Sequence, residues 1–227
     1  MDSIYDTLLQ IPTFQGLARN RFNEILGNTR FHFLKYLPGE QLIFENEPCN
    51  DIKFLISGSV RSENLSNFKK VRITETIAAP NVLIGNHLFG SMPYSPVSMY
   101  AIEDAGIMQL NKQSFIDLLQ KDRIILLNYI NMISHKTHSS IGAFRNISSN
   151  SIKERLCYFV LTYTQYKSSE IRITCKHRDL YSFFGIQRSI YIDILNDMKA
   201  SGLLEYDSHG IYFESRDKLQ EYLAGLN

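Results

Sequence analysis

The sequence is poor in cysteine, with Cys49, Cys157 and Cys175 as the only three in 227 residues. Three scattered thiols exclude a disulfide framework and an all-cysteine metal cluster. Long apolar runs are also missing, since none approaches the roughly 20 residues that a membrane-spanning helix requires. The first residues, MDSIYDTLLQIP, are acidic and lack the basic-then-apolar order of a signal peptide. We therefore expect a cytoplasmic protein without membrane association.

Positive charge is in little excess, because 24 Lys and Arg against 23 Asp and Glu leave a net charge of +1. This near-neutrality argues against a general polyanion binder. Hydrophobic residues make up 44% of the chain, as in a globular protein, and the length allows two modest domains or one large one. A specific DNA reader needs only a local basic patch. Residues 172–188 contain five candidates for such a patch: Arg172, Lys176, His177, Arg178 and Arg188.

The segment from Ile173 to Leu204 has the pattern of two helices joined by a tight turn. Thr174 can cap the first helix, and Gly185 supplies the permissive backbone that a sharp turn needs. The first helix has the apolar residues Leu180, Phe183 and Phe184. The second helix has an apolar face that can pack back on them, formed by Ile186, Ile190, Ile194, Leu195 and Met198. Its first turns carry four outward-facing residues, which predict a helix that presents side chains to the bases of the DNA major groove. These candidate base readers are Gln187, Arg188, Ser189 and Tyr191.

A short hairpin pattern follows the helix pair. Gly202 is placed to end the second helix, and two short strand-like runs, 203–206 and 211–213, flank the polar turn at 207–210. Helix, turn, helix and hairpin in this order are typical of a winged helix. Ser208 and His209, at the tip of the hairpin, are candidates for contacts with DNA phosphates.

The preceding chain predicts a different domain. Residues 3–27 are helical in pattern, whereas 31–111 contain many short strands separated by turn signals, which favours an antiparallel barrel or jelly roll. We therefore predict an α+β protein with three parts. These are a β-roll sensor domain at 1–112, a dimerisation helix at 113–147 and a winged helix-turn-helix domain at 148–227.

The long helical segment, from about Ser114 to Asn146 with a break near Asp122, carries two apolar stripes. Its heptad-like stripe predicts a dimer seam, while the second stripe, with Ile125 and Tyr129, can cover the barrel. The alternative is a single amphipathic helix buried in its own core. A polar hinge at 148–151 follows. The predicted seam consists of Leu126, Ile130, Ile133, Thr137, Ser140 and Phe144.

In its order of domains the chain resembles the cAMP receptor/FNR superfamily of bacterial transcription regulators. The motifs that carry the resemblance are LPGEQLIF at 37–44, FLISGSV at 54–60, KHRDL at 176–180, Gly185 and QRS at 187–189. The resemblance implies that Arg188 reads a base, for which a guanidinium that can bond O6 and N7 of guanine is suited. Ser189 and Asp193 stand where a glutamate and a second arginine are common in the family. The residues assigned to phosphates are Thr174, Lys176, His177 and Arg178.

The effector site departs further from the family. Cyclic-nucleotide members carry a Gly-Glu pair and an Arg-Ser pair, but this chain has Gly85-Asn86 and no arginine in the segment 94–98. A buried cyclic phosphate without a cation would be poorly compensated, so we expect no cAMP or cGMP binding in the usual mode. By family analogy an effector pocket lies near Gly85, Asn86, Thr137 and Ser140. No metal or cofactor is predicted, and the effector is unidentified.

The leading hypothesis is a homodimeric transcription regulator, not an enzyme, that binds double-stranded DNA at a near-palindromic operator. Activation would require contact with RNA polymerase, and repression only occlusion of the promoter. One alternative is a ligand-sensing dimer with a non-functional DNA domain that acts through protein contacts. Another is a cupin-like metal enzyme. Such enzymes usually hold their metal with several histidines on barrel strands, whereas His32 and His87 are the only histidines of this predicted barrel.

Overall fold

The computed structural model describes residues 4–65, 70–149 and 151–225; for residues 4, 65, 143, 144 and 146–149 it describes only the backbone. The chain forms two compact units. The amino-terminal unit comprises 1–60 and 78–137, and the carboxy-terminal unit comprises 61–77 and 138–227.

The elements follow one another along the chain in an order that separates a strand-rich part from a mixed part. They are α1 (Ile4–Leu9), α2 (Arg19–Asn28), β1 (His32–Tyr36), β2 (Gln41–Ile43), β3 (Asp51–Ser57), β4 (Ser59–Leu65), β5 (Arg72–Ala78), β6 (Asn81–Leu83), β7 (Ser98–Ala101), β8 (Ala105–Asn111), α3 (Lys112–Lys121), α4 (Arg123–Ser149), α5 (Ile152–Tyr163), β9 (Ser169–Thr174), α6 (His177–Phe184), α7 (Arg188–Ala200), β10 (Leu204–Asp207), β11 (Gly210–Ser215) and α8 (Arg216–Ala224).

The amino-terminal unit is built on antiparallel strands. One sheet has the order β1-β8-β3-β6, and β2 pairs separately with β7. The helices cover this sheet through an aromatic core, in which the rings of Phe14 and Phe54 lie 5.0 Å apart and those of Phe115 and Tyr129 lie 4.9 Å apart. The prediction of many short antiparallel strands packed with helices is confirmed.

Asp122 separates α3 from α4, as the sequence predicted. Its carboxylate accepts hydrogen bonds from the backbone N–H of Ile124 and Ile125 at 3.0 and 3.1 Å, and from Arg21 Nε at 2.9 Å. These bonds outweigh the effect of burial and lower the pKa of Asp122. A carboxylate that satisfies the first N–H groups of α4 explains why the helix restarts there.

The carboxy-terminal unit contains an antiparallel sheet in the order β10-β11-β9-β5. Its inner face is apolar, with Ile173 of β9 opposite both Ile73 and Ile211, and all three are buried. Strand β5 was expected in the sensor domain, yet its residues 72–77 pack within this unit. The predicted division into a sensor domain (1–112), a dimerisation helix (113–147) and a DNA-binding domain (148–227) stays a prediction, because it concerns the function of each part rather than its packing.

The hinge predicted at 148–151 is shorter than expected. Helix α4 continues to Ser149, and Ser151 caps α5, accepting from the N–H of Glu154 at 3.4 Å while the Glu154 carboxylate accepts from the N–H of Ser151 at 2.8 Å. Such a capping box stabilises a helix start. Asn150 lies outside the described residues. Within the described part of the chain, no helix is both long enough and apolar enough to cross a membrane.

Candidate functional site

A tight turn positions α7 against α6. Gly185 adopts φ +66°, in the left-handed region that favours glycine, and its N–H donates to the carbonyl of Ser182 at 3.2 Å. The N–H of Ile186 donates to the carbonyl of Tyr181 at 3.0 Å, which completes the cap of α6. This turn determines where α7 begins and which side chains stand at its start.

Three of the four predicted base readers are exposed at that start. Gln187 is the N-cap of α7 without a side-chain capping bond, and Arg188 and Ser189 follow it. Among the residues that the structure describes, no hydrogen bond or ion pair engages the Arg188 side chain. The positive end of the helix dipole adds to the positive charge of this corner. These three side chains are therefore available to a ligand, and their assignment to bases stays a prediction.

Tyr191 was wrongly predicted as a base reader. It is only 1% exposed and packs with Leu195 and Met198 in the core of the unit. Its hydroxyl lies 2.9 Å from Nδ1 of His177, and burial raises the pKa of the phenol. Tyr191 precedes Leu195 by four positions and Met198 by seven, and both of these are buried, which places Tyr191 on the buried side of α7.

The prediction that His177 contacts a phosphate is also contradicted. Its Nε2 lies 2.5 Å from the backbone carbonyl of Asp207, which can only accept, so Nε2 donates. In the neutral ring Nδ1 then accepts from the Tyr191 hydroxyl. Both nitrogens are thus used within the unit. His177 instead ties α6 to α7 and to the end of β10, and so holds the exposed corner in place.

The remaining phosphate candidates before α7, which are Thr174, Lys176 and Arg178, play different structural roles. Thr174 is not a helix cap as expected, because it belongs to β9, and the N-cap of α6 is Lys176. Lys176 and Arg178 are exposed. Their contact with phosphates, and that of the half-buried Thr174, stays a prediction.

The β10–β11 turn is held by one carboxylate. Asp207 accepts from the N–H of His209 at 2.7 Å, the N–H of Gly210 at 3.1 Å and the hydroxyl of Tyr212 at 3.0 Å. The hydrogen bond from the His209 N–H is the main cause that lowers the pKa of Asp207. Ser208 and His209 stay exposed at the tip, where they can reach a ligand.

Two apolar residues that the sequence predicted to pack inside the helix pair are exposed. Phe183 is 59% exposed and Ile190 is 48% exposed. The helical spacing alone assigned both to the packed face, but the angle at Gly185 decides which flank of each helix is covered. Ile190 is therefore a further exposed side chain beside Arg188 that sequence reasoning missed.

The predicted effector residues divide between the two units, since Gly85, Asn86 and Thr137 belong to the first and Ser140 to the second. Gly85 is buried, and its carbonyl accepts from the Tyr129 hydroxyl at 2.9 Å. A Cβ at this position would lie 2.7 Å from Cγ1 of Val82, so the backbone here admits only glycine without rearrangement. The hydroxyl of Thr137 donates to the carbonyl of Ile133 at 3.0 Å. The pocket assignment stays a prediction.

The segment 94–98, which would hold a phosphate in a cyclic-nucleotide site, carries no charged side chain and forms a hydrogen bond within itself. The hydroxyl of buried Ser95 donates to the carbonyl of Val97 at 2.7 Å. The amino-terminal unit contains a cavity of ≈ 190 Å³. Among the described residues, the charged side chains that line it are those of Glu47, Asp51 and Lys53. Lys53 already contacts Glu47 at 3.6 Å and donates to the carbonyl of Leu42 at 3.1 Å.

The outer side of α4 differs from the predicted seam. Leu126 and Ile133 are partly buried against the core of the amino-terminal unit, and their assignment to a dimer seam stays a prediction. Phe144 belongs to α4, but its side chain lies outside the described residues. Apolar side chains of α4 remain exposed at Leu127, Ile130 and Ile141, and Thr137 is exposed between them. We call Leu127, Ile130, Thr137 and Ile141 the outer stripe.

Comparison with known proteins finds a family that is similar to the strand-rich part of the chain. Residues 33–122 match the family model described as the cyclic nucleotide-binding domain. The match includes LPGEQLIF at 37–44 and FLISGSV at 54–60, two of the motifs that carry the resemblance stated from the sequence.

Solved structures share the fold of this chain. The catabolite activator protein of Thermus thermophilus is 17% identical, with 95% of this chain and 100% of that chain covered and a TM-score of 0.52. The sensor domain of the transcriptional regulator DNR from Pseudomonas aeruginosa is 19% identical, with 60% of this chain and 89% of that chain covered and a TM-score of 0.50. No curated protein matches the sequence significantly.

Proposed function

We propose that this protein is a homodimeric, sequence-specific DNA-binding transcription regulator whose cyclic nucleotide-binding domain acts as a sensor. The observation that carries the proposal is the corner at the start of α7, where Gln187, Arg188 and Ser189 are exposed on a helix anchored by Tyr191 and His177. Helix, turn, helix and hairpin then form a winged helix-turn-helix that inserts α7 into the major groove. Two structures of the same fold are described as a catabolite activator protein and a transcriptional regulator, which supports this function rather than an enzymatic one.

Selection of binding sites from random duplex DNA tests the proposal. We expect a two-fold symmetric motif with half-sites about one helical turn, roughly 34 Å, apart, because each protomer of a symmetric dimer reads one half-site. In the same selection the Arg188→Ala variant should lose preference at one base pair of each half-site, at a cost of about 1–3 kcal/mol per pair, since a bidentate contact is removed.

Arg30→Ala is the matched control, because Arg30 is an exposed arginine of the other unit and should leave the motif unchanged. An enriched motif that survives Arg188→Ala would contradict the assignment of Arg188. Failure to enrich any motif, both with purified protein and with added cell extract, would favour a sensing dimer that acts through protein contacts.

The sensor should not respond to cAMP in the usual mode. Asn86 replaces the carboxylate expected for the ribose, and 94–98 lacks an arginine for the phosphate, so the buried anion would lose its hydration without a compensating cation. We expect no binding heat on titration with cAMP or cGMP at micromolar concentrations. Saturable binding in that range by calorimetry would show that another set of donors replaces the missing arginine.

Dimerisation follows from the outer stripe of α4. Its members stand at positions 127, 130, 137 and 141, which fit the alternating three- and four-residue spacing of a coiled-coil seam. An apolar stripe of this spacing is covered when a second copy of the helix packs against it. The two winged helices of the dimer would then bind a near-palindromic operator, and an activator would also contact RNA polymerase.

A further inference from the structure

Two cations, Lys70 before β5 and Arg72 at its start, lie at the end of the sheet that carries the β10–β11 turn. Within the carboxy-terminal unit Arg72 lies directly opposite Thr174 of β9, and Thr174 lies opposite Gly210 of β11. Neighbouring strands are about 4.8 Å apart, so the backbone of Arg72 lies roughly 10 Å from that of Gly210 at the turn. Lys70 precedes the strand and is exposed.

The alternation of the sheet determines where Arg72 points. The neighbouring residues Ile73, Ile173 and Ile211 face the core and are buried. Directly opposed residues share a face and successive residues alternate, so Arg72 and Thr174 face solvent on the other side. The exposure of Arg72 agrees with this, and no hydrogen bond or ion pair to its side chain occurs among the described residues.

This end of the sheet is also where the predicted phosphate contacts converge. The chain leaves Thr174, passes Cys175, whose N–H donates to the carbonyl of His209 at 3.1 Å, and reaches exposed Lys176 at the start of α6. The acidic group at this end is Asp207, whose carboxylate is already engaged by the N–H groups of His209 and Gly210 and by the Tyr212 hydroxyl. Glu170 lies towards the other end of β9, where it accepts from the hydroxyl of Thr76 at 2.8 Å.

We infer that Lys70 and Arg72 form an additional binding site for the phosphate backbone of DNA, beside the hairpin turn. The site extends the interface of the proposed function and rests on it. It is sequence-independent, because an exposed lysine and an exposed arginine beside hydroxyl groups offer charge and donors to phosphate oxygens but do not reach base edges. Strand β5, which the sequence assigned to the sensor domain, thereby contributes to DNA affinity.

The salt dependence of DNA binding tests this site. Binding of the full-length protein to the selected operator and to a random-sequence duplex is measured by fluorescence anisotropy from about 50 to about 200 mM KCl. Each lost phosphate contact should reduce the slope of log K against log salt by about 0.9 for each bound protomer, so Arg72→Gln should reduce it by that amount and Lys70→Gln/Arg72→Gln by about twice as much. Arg72→Lys should keep the wild-type slope, since a lysine also pairs with phosphate.

The controls separate failure of this site from failure of the proposed function. The base preference and the thermal midpoint should be unchanged in Arg72→Gln, and Arg30→Gln, an exposed arginine of the other unit, should keep the wild-type slope. An Arg188-dependent motif combined with a wild-type slope in Lys70→Gln/Arg72→Gln would overturn the additional site and leave the proposed function intact. Absence of duplex binding by the wild-type protein would overturn both.

Discussion

Replacing Arg216 with methionine is expected to lower the free energy of unfolding by about 3–5 kcal/mol, because the buried oxygens that its guanidinium engages lose their charged donor. Arg216, at the start of α8, is 6% exposed. Its guanidinium donates to the carbonyls of Leu161 and Thr164 at 2.7 and 2.8 Å and to the Thr164 hydroxyl at 2.7 Å. Burial lowers the Arg216 pKa, whereas the charge of buried Glu75 opposes that effect.

The measurement is urea denaturation of the full chain followed by circular dichroism, since the sequence has no tryptophan. Arg178→Met is the matched control: Arg178 is exposed, and its loss should change the free energy of unfolding by less than about 0.5 kcal/mol. Adding Glu75→Gln to Arg216→Met should recover part of the loss, because it removes the buried negative charge whose attraction to the guanidinium is lost in the single variant. Equal stability of the Arg216→Met and Arg178→Met variants would show that the buried network contributes little.

Replacing Ile130 with glutamate is expected to weaken the proposed dimer by about 100-fold or more. Ile130 is 47% exposed in the single chain and lies at the centre of the outer stripe. Burial of an isoleucine is worth about 1.5–3 kcal/mol, and a two-fold axis applies the change to both protomers. Because Ile130 is already half covered in the single chain, the two side chains together account for roughly 1.4–2.8 kcal/mol of this burial. A factor of 100 in Kd corresponds to about 2.7 kcal/mol, and the cost of placing two carboxylates in an apolar interface supplies the remainder.

Sedimentation equilibrium of the wild-type and variant proteins measures this effect. Asn131→Glu introduces the same charge at the adjacent exposed position, about 100° around the helix, and should leave the dimer intact. A dimer that tolerates Ile130→Glu as well as Asn131→Glu would move the interface away from the outer stripe. Dissociation by both variants would instead indicate a general effect of charge on α4.

Much of the candidate site was predictable because its signals are local. Gly185 indicated the turn, and the exposed start of α7 at Gln187, Arg188 and Ser189 follows from the position of that turn. The break at Asp122 was equally visible, because a carboxylate can cap the following helix from its own neighbourhood in sequence. The antiparallel strands of the cyclic nucleotide-binding domain were indicated by alternation and turn residues.

The errors concern residues whose role depends on a distant partner. Tyr191 is polar at its tip, and only the contact with His177, 14 positions away, shows that it belongs to the core. The same holds for Ile190, an apolar residue at helical spacing that is exposed rather than packed inside the helix pair. Helical periodicity gives the spacing of a face but not the direction from which a neighbour covers it.

By itself, the sequence determined the strand-rich amino-terminal part, the helix pair with its hairpin and the exposed basic start of α7, because propensity, capping and turn formation act between residues close along the chain. Only the tertiary structure decided that β5 pairs with β9, that Arg72 joins the end of the sheet beside the hairpin turn, and that Arg216 closes a buried network. These arrangements join residues that lie between 52 and 102 positions apart in the sequence. At such separations local patterns cannot select one strand or one backbone carbonyl as the partner among many similar ones. Burial of Ile73 against Ile173 selects one register among them, and with it the face on which each charge appears.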